Sequence, residues 1–258
     1  MVFDHRLFEL VAQKRKFRGQ AVPFALVALE AVYRFPLTWW ILTPLEVTIS
    51  VILNLPIPIY KELVEMVIIH FPGSPGMLGN YVRAVYYRTK LKSMGTNAII
   101  EEGVRILNPG GLELGEFVLI DKYVMIAVES ARIGKRSHVG VGAKFLGSGS
   151  VEIGDYGGIG INSILITSTE LPKGGMRMSG TMVPFEHRNV KVADVVVKRE
   201  GFVGTSAILM PGVVVEEGGV IGAGVIAFKG TQPWEMKFGR IPENLVSKSR
   251  DQVVLEDL

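Results

Sequence analysis

Cysteine is absent from the 258 residues, so the chain has no disulfide framework, no thiolate zinc site and no cysteine nucleophile. An excess of charge is also lacking, because 28 basic and 25 acidic residues leave a net charge of +3. That is too small for the basic footprint of a nucleic-acid-binding protein. The 48% apolar content excludes intrinsic disorder. Glycine is scarce at first: residues 1–94 hold only four of the 30, and 26 follow.

The glycine-poor part, residues 1–94, is predicted to be an apolar α-helical module. A secretory signal peptide is not expected, because the apolar stretch starts late and no small-residue cleavage site follows it. The longest uncharged run is residues 47–60, 14 residues that end in prolines. A single membrane-spanning helix, which needs about 20 apolar residues, is therefore not expected.

Two interpretations of this module stay open. Residues 14–60 could touch a membrane surface, with Trp39 and Trp40 at the interface and the cluster Lys14, Arg15, Lys16 and Arg18 facing anionic lipid. Alternatively, the apolar faces pack on the rest of the protein or on a neighbouring subunit of a trimer.

Residues 75–92 are predicted to form a basic amphipathic helix that ends the module. Its apolar side comprises Leu78, Val82, Val85, Tyr86 and Leu91, and its solvated side comprises Arg83, Arg88, Lys90 and Lys92.

The glycine-rich part carries a repeat of six residues. Large apolar residues recur every sixth position in four blocks, and glycine often follows them. Such a period fits short strands separated by sharp turns, with three strands to a coil and one apolar side chain from each strand pointing inward. The repeating residues are Ile100, Ile106, Leu112, Val118, Val124, Ile133, Val139, Phe145, Ile153, Ile159, Leu165, Val197, Val203, Leu209, Val215 and Ile221.

The predicted fold is therefore mainly β: a parallel β-helix over residues 95–230, preceded by the helical module and followed by a C-terminal strand and tail, residues 231–258. A regular coil must loop out any insertion, and the largest break in the repeat predicts a loop over residues 167–193. Structureless loops of this length are usually functional or disordered.

The segments 202–205, 210–213 and 220–224, with the closing stretch 233–242, resemble the hexapeptide-repeat acyltransferases, and most closely the maltose and galactoside O-acetyltransferases. The segment from residue 72 to 109 is similar to members that act on surface-polysaccharide sugars. The resemblance implies a left-handed β-helix and a homotrimer with acetyl-CoA bound between subunits. It implies acyl transfer to a hydroxyl or amine of a sugar, a sugar nucleotide or a polysaccharide precursor, without a metal.

The resemblance also implies a catalytic histidine, but Thr169 stands at the matching position, and threonine is a poor base. Histidine suits proton transfer near neutral pH. His187, in the predicted loop beside the Glu186 carboxylate, is the first candidate, with Glu170 as an alternative base. His138, expected at an exposed turn, is a weaker one. A γ-type carbonic anhydrase needs three histidines around zinc, and the repeat region has only these two.

Coenzyme A contacts are carried over from the resemblance to Thr205, Ala223 and Lys229. The two tail cations of the family fall on Asn244 and Ser247, so Lys248 is assigned in their place. Because of Thr169 and these tail substitutions, a non-catalytic β-helix scaffold or assembly subunit remains the alternative function. The expected location is cytoplasmic, either free or peripheral on the inner face of the membrane.

Overall fold

Each six-residue step of the repeat forms a short strand followed by a turn. The structure, a computed structural model, describes residues 1–17, 20–71, 77–171, 177 and 182–239. The strands, in chain order, are β1 (Ser93–Met94), β2 (Ile99–Ile100), β3 (Arg105–Ile106), β4 (Leu112–Leu114), β5 (Leu119–Ile120), β6 (Met125–Ala127), β7 (Ser130–Ile133), β8 (His138–Val139), β9 (Lys144–Leu146), β10 (Ser150–Ile153), β11 (Gly158–Ile159), β12 (Ile164–Ile166), β13 (Ser168–Glu170), β14 (Val190–Val192), β15 (Val195–Val197), β16 (Phe202–Val203), β17 (Ile208–Leu209), β18 (Val214–Val215), β19 (Val220–Ile221), β20 (Ile226–Ala227) and β21 (Met236–Lys237).

All strands except the pair β13–β14 form three parallel sheets. Sheet A runs β1-β4-β7-β10-β15-β18, sheet B runs β2-β5-β8-β11-β16-β19-β21, and sheet C runs β3-β6-β9-β12-β17-β20. Successive strands along the chain visit the three sheets in turn, so each coil stacks on the previous one. The predicted parallel β-helix is confirmed.

The interior of the solenoid is a ladder of the predicted apolar residues. All 16 are buried, with exposures between 0% and 7%. Phe145, the largest of them, is fully buried. Burying one such side chain stabilises the fold by about 1.5–3 kcal/mol, so the ladder is the main source of solenoid stability.

Many of the glycines stand where neighbouring coils touch, directly after an inward apolar residue. A Cβ on Gly204 would lie 2.4 Å from the backbone nitrogen of Ala223 in the next coil. Several tight turns, by contrast, place larger residues in the left-handed region, among them Tyr123, Tyr156 and Glu200. Close stacking of the coils therefore explains more of the glycine than the turns do.

Among the described residues, five helices precede the solenoid, as the low glycine content and apolar composition predict. They are α1 (His5–Phe17), α2 (Phe24–Arg34), α3 (Pro36–Leu53), α4 (Pro58–His70) and α5 (Leu78–Arg88). Pro36 and Pro58 occupy the first turns of α3 and α4, where a missing N–H removes no helical bond. In the described part of the chain no single helix could span a membrane; α2 and residues 38–53 together could, but they meet at a 105° bend.

Helix α5 corrects one detail of the predicted amphipathic helix. Arg83 lies at 1% exposure instead of in solvent. Its guanidinium donates to the carbonyls of Ile100, at 2.7 Å, and Phe71, and to the side chain of Asn80. Burial lowers the pKa of Arg83, against the opposing charges of Glu101 and Glu102. The side chain thus ties α4 and α5 to the first coil.

The amino-terminal segment docks on the same coil. The Asp4 backbone N–H donates to Asn97 Oδ1 (2.8 Å), and Asn97 Nδ2 donates to Asp4 Oδ1 (2.9 Å). Strand β1 begins the solenoid at residues 93–94, and β21 adds to sheet B at its far end. The division of the chain near residue 94 stays a prediction.

Candidate active site

The base of the predicted loop 167–193 is an antiparallel hairpin, in which β13 pairs with β14 and Thr169 faces Lys191. Its foot is bonded to the turn of the preceding coil. Thr167 Oγ1 accepts from Gly149 N (3.0 Å), and Asp194 Oδ1 accepts from Ser150 N (2.8 Å). The loop is therefore rooted on the solenoid by two side chains of its foot, which bond to the backbone of the preceding coil, and it projects from the edge between sheets C and A.

An ion pair crosses this loop. The Nε and Nη2 atoms of Arg188 lie 2.8 and 2.7 Å from Glu170 Oε1, and the two side chains are only 15% and 17% exposed. Charge-assisted hydrogen bonds in partial burial are stronger than surface pairs. Glu170 is therefore held by Arg188, and its assignment as a base stays a prediction. Sequence reasoning considered it as a base and missed this structural role.

The predicted catalytic residues, His187 and Glu186, lie in a 3-10 turn, Phe185–His187, at the outer part of the loop. The His187 backbone is fixed: its N–H donates to Pro184 O and its carbonyl accepts from Arg177 N, both at 3.0 Å. Both side chains are exposed. Their catalytic assignment stays a prediction.

Two of the predicted coenzyme A residues do come together. Thr205 and Ala223 are exposed neighbours on successive coils, at the edge between sheets B and C, where Gly224 N donates to Thr205 O at 2.9 Å. We call this line of residues the BC edge. Along the solenoid it comprises Lys122, Val141, Ile161, Thr205 and Ala223, of which Val141 and Ile161 expose apolar side chains.

The other two predicted coenzyme A residues do not join this edge. Lys229 follows β20 and is exposed at the opposite margin of sheet C, the margin that carries the loop. Lys248 lies outside the described residues. The cofactor assignments, like the catalytic ones, stay predictions.

A histidine–carboxylate pair emerges on sheet B. His138 Nε2 lies 2.8 Å from Asp121 Oδ2, with side chains 52% and 25% exposed. His138 is exposed as expected, but it begins strand β8 instead of lying in a turn. Gly158 pairs with His138 from the next coil, and because it has no side chain the ring of Phe202 fills the space above it. The signal that could have found the pair is the spacing of 17 residues, about one coil.

A cavity of about 670 Å³ lies between α4 and the outer face of sheet C. Its charged walls are Glu62 and Glu65 from the helix and Arg105 and Lys144 from the strands. In the part of the chain that the structure describes, no group of three His, Asp or Glu residues could hold a metal ion.

Known proteins were compared with this chain by sequence and by fold. No known protein-family profile matches it. The dTDP-4-amino-4,6-dideoxy-D-glucose acyltransferase of Escherichia coli is 25% identical over 169 residues, which are 65% of this chain and 88% of the relative. AntD, an N-acyltransferase from Bacillus cereus solved with dTDP and 3-hydroxybutyryl-CoA, has a TM-score of 0.58 and 26% identity over 63% of this chain and 86% of AntD.

By sequence and by fold, the chain is a relative of the hexapeptide-type β-helix acyltransferases. A variant of AntD solved with dTDP-4-amino-4,6-dideoxyglucose and coenzyme A matches equally well, with a TM-score of 0.58 and 26% identity over 63% of this chain and 87% of AntD. The resemblance seen in the repeat is confirmed. Each of these matches leaves about a third of this chain uncovered. The name of the Escherichia coli relative gives a dTDP-amino sugar as its substrate, and AntD was solved with such a sugar bound.

Proposed function

We propose that this protein transfers an acyl group from acyl-CoA to the amino group of a sugar nucleotide. The observation that carries the proposal is the match to two dTDP-amino-sugar acyltransferases over 86–88% of their own length. Their chemistry is the expected acyl-CoA-dependent transfer, and the acceptor atom is nitrogen, one of the two acceptors that the sequence left open. Acetyl-CoA, the predicted donor, is one member of the acyl-CoA class.

The reaction forms one bond and breaks one. The neutral amine of the sugar attacks the thioester carbonyl, a C–N bond forms and the C–S bond breaks. Coenzyme A leaves as the thiolate, and the proton lost by the nitrogen reaches the sulfur. A side chain that accepts this proton and returns it to the sulfur accelerates the transfer by about 10²–10⁴-fold.

Two histidines compete for this role. His187, with Glu186 beside it in sequence, lies on the exposed outer part of the loop. Among the described residues, a carboxylate is bonded to the ring of His138, whereas none is bonded to the ring of His187. A carboxylate on one ring nitrogen fixes the tautomer and leaves the other nitrogen to accept a proton. A pair of single variants distinguishes the two assignments.

The BC edge supports a coenzyme A groove between subunits. Thr205 and Ala223 are small and exposed, so a ligand can approach the backbone of two coils there. Val141 and Ile161, next along the edge, expose apolar side chains that a second copy would cover. We infer a homotrimer and a cytoplasmic location, where acyl-CoA is available. Lys229 lies at the opposite margin of sheet C, so it would reach the phosphates only from a neighbouring subunit, and Lys248 is the second cation proposed for them.

The scaffold alternative gives a different result in a direct assay. The purified protein is mixed with dTDP-4-amino-4,6-dideoxyglucose and either acetyl-CoA or 3-hydroxybutyryl-CoA, and free thiol and acylated sugar are measured. We expect both products in equal amounts, and none when the sugar carries a hydroxyl in place of the amine. Absence of thiol release together with absence of coenzyme A binding by calorimetry would support the scaffold.

A further inference from the structure

Many large apolar side chains of the helical module are exposed instead of packing against the solenoid. On α3 these include Trp40 at 82%, Ile41 at 65% and Val51 at 59% exposure. Leu63 and Met66 of α4 are also exposed, but Met66 lines the cavity that faces sheet C. We call the exposed apolar side chains of α2 and α3 the helical apolar surface. Exposed apolar side chains in this number mark a contact with a partner or a membrane.

The one charged residue of α3 is withdrawn from this surface. Between Phe35 and Tyr60 the chain has a single charged side chain, Glu46, and it is 8% exposed. Its carboxylate accepts from Val2 N at 3.1 Å and from the Tyr81 hydroxyl at 3.2 Å. The face of α3 that carries Trp40 and Val51 is therefore free of charge.

Polar side chains on the same helices are satisfied by their own backbone. Thr48 Oγ1 donates to Pro44 O (2.9 Å), Tyr60 OH donates to Ile52 O (2.8 Å), and Thr38 Oγ1 donates to Val32 O (2.9 Å) across the bend before α3. Water at an exposed protein surface would satisfy these groups equally well. Hydrocarbon would not, so internal bonding is the arrangement that a lipid environment requires.

Shape and charge favour a bilayer over a second copy. Helices α2 and α3 meet at 105°, so the apolar pair turns back instead of continuing as one span. Helix α1 ends at Phe17, which is 92% exposed, and its last turn carries the basic residues Lys14, Arg15 and Lys16. Cations beside apolar side chains are typical of segments that lie on anionic lipid.

We propose that the helical apolar surface inserts into one leaflet of an anionic bilayer and anchors the enzyme without spanning the membrane. The tryptophans of α3 lie about 5–10 Å deep, at the boundary between headgroups and acyl chains. The basic residues of α1 bind the headgroups. The inference is independent of the acyl-transfer reaction.

Vesicle flotation of the full-length protein tests the proposal. Vesicles of phosphatidylcholine alone are compared with vesicles containing phosphatidylglycerol. We expect the protein to float with the anionic vesicles and to be released only in part by salt, because the apolar contact is not screened. The double variant Trp40→Glu, Val51→Glu should bind at least about tenfold more weakly, since both substituted side chains would enter the apolar boundary as charges. Leu107→Glu, at a 63% exposed solenoid position, is the matched control.

Tryptophan fluorescence gives a second measurement. In a Trp234→Phe background the remaining signal comes from Trp39 and Trp40, and we expect a blue shift and quenching by brominated lipid on binding. Flotation undiminished in the double variant would overturn the proposal. So would a lipid-free protein whose tryptophan emission is already blue-shifted and whose α3 crosslinks to α3 of another copy, because the surface would then be an interface between subunits.

Discussion

The imidazole of His138 and the carboxylate of Asp121 form a 2.8 Å hydrogen bond on the outer face of the solenoid, between strands one coil apart. The pair gives the chain a preoriented histidine although Thr169 replaces the expected one. If it supplies the base, His138→Gln should lower kcat by about 10²–10⁴-fold and leave KM for acyl-CoA nearly unchanged. His187→Ala should then remain active. The measurement is thiol release at saturating sugar nucleotide.

Asp121→Asn separates orientation from proton transfer. An amide cannot hold the ring in the same tautomer, so kcat should fall at least about tenfold while the fold is unaffected. Glu152→Gln, a change at an exposed carboxylate of sheet A, is the control and should have no effect. Loss of activity in His187→Ala with full activity in His138→Gln would instead assign the base to the loop.

The Glu170–Arg188 pair is expected to hold the outer part of the loop. Arg188→Met removes two charge-assisted bonds, at a cost of about 1.5–3 kcal/mol to the closed loop. Amide exchange should increase at Leu171 and His187, whose N–H groups bond within the loop, and not at Ala193, which bonds to Thr167 at the foot. The control is Arg132→Met, which breaks an exposed pair with Glu152. Faster exchange at Ala193 would contradict this picture, because the whole loop would then open as one unit.

Gly204 is expected to tolerate no side chain, because its Cβ would meet the backbone of the next coil at 2.4 Å. Gly204→Ala should destabilise the protein by about 1–3 kcal/mol and weaken acyl-CoA binding, since it separates the coils that carry Thr205 and Ala223. Gly110→Ala, where a Cβ would meet nothing within 4 Å, is the control. Equal stability of the two variants, measured by thermal unfolding, would show that the coils can separate without cost.

The solenoid could be predicted because its periodicity is a local property of the chain. Each inward residue, such as Val139 or Leu209, is buried by its neighbours six residues away and by the next coil. The six-residue pattern in the sequence therefore identifies the buried positions directly. The break at residue 167 was visible for the same reason, since it interrupts the pattern.

The candidate site and the helical module could be predicted only in part. Which side chains meet across coils depends on coil length, which varies along the solenoid. The 17-residue spacing of Asp121 and His138 is close to one coil, but it does not by itself pair them. Helical periodicity places Arg83 on the polar side of α5, which predicts a solvated side chain. Periodicity does not show that the guanidinium reaches the carbonyls of Phe71, which follows α4, and of Ile100 in β2. Glu46 interrupts an apolar run in sequence but turns inward in three dimensions.

Docking of the amino-terminal segment is predicted to be acid-sensitive through Asp4. Burial alone would raise the pKa of Asp4, but hydrogen bonds from Arg6 and Asn97 outweigh it and lower the pKa below the ordinary value of 3.8. The ionised form is thus favoured in the folded protein. Its contribution to stability is fully present above pH 3.8 and is lost as the pH falls through the lower pKa of the folded state.

Asp4→Asn should therefore lower the free energy of unfolding by about 1–2 kcal/mol near pH 7, and the difference from wild type should shrink below pH 3.8. Urea unfolding at several pH values measures it. Glu113→Gln is the control: its hydrogen bond to Lys92 also lowers the pKa of Glu113, but the pair is exposed, so added salt should abolish that effect and leave the Asp4 effect in place. A difference between Asp4→Asn and wild type that stays constant from pH 7 to pH 3 would mean that Asp4 acts by packing and not by its charge.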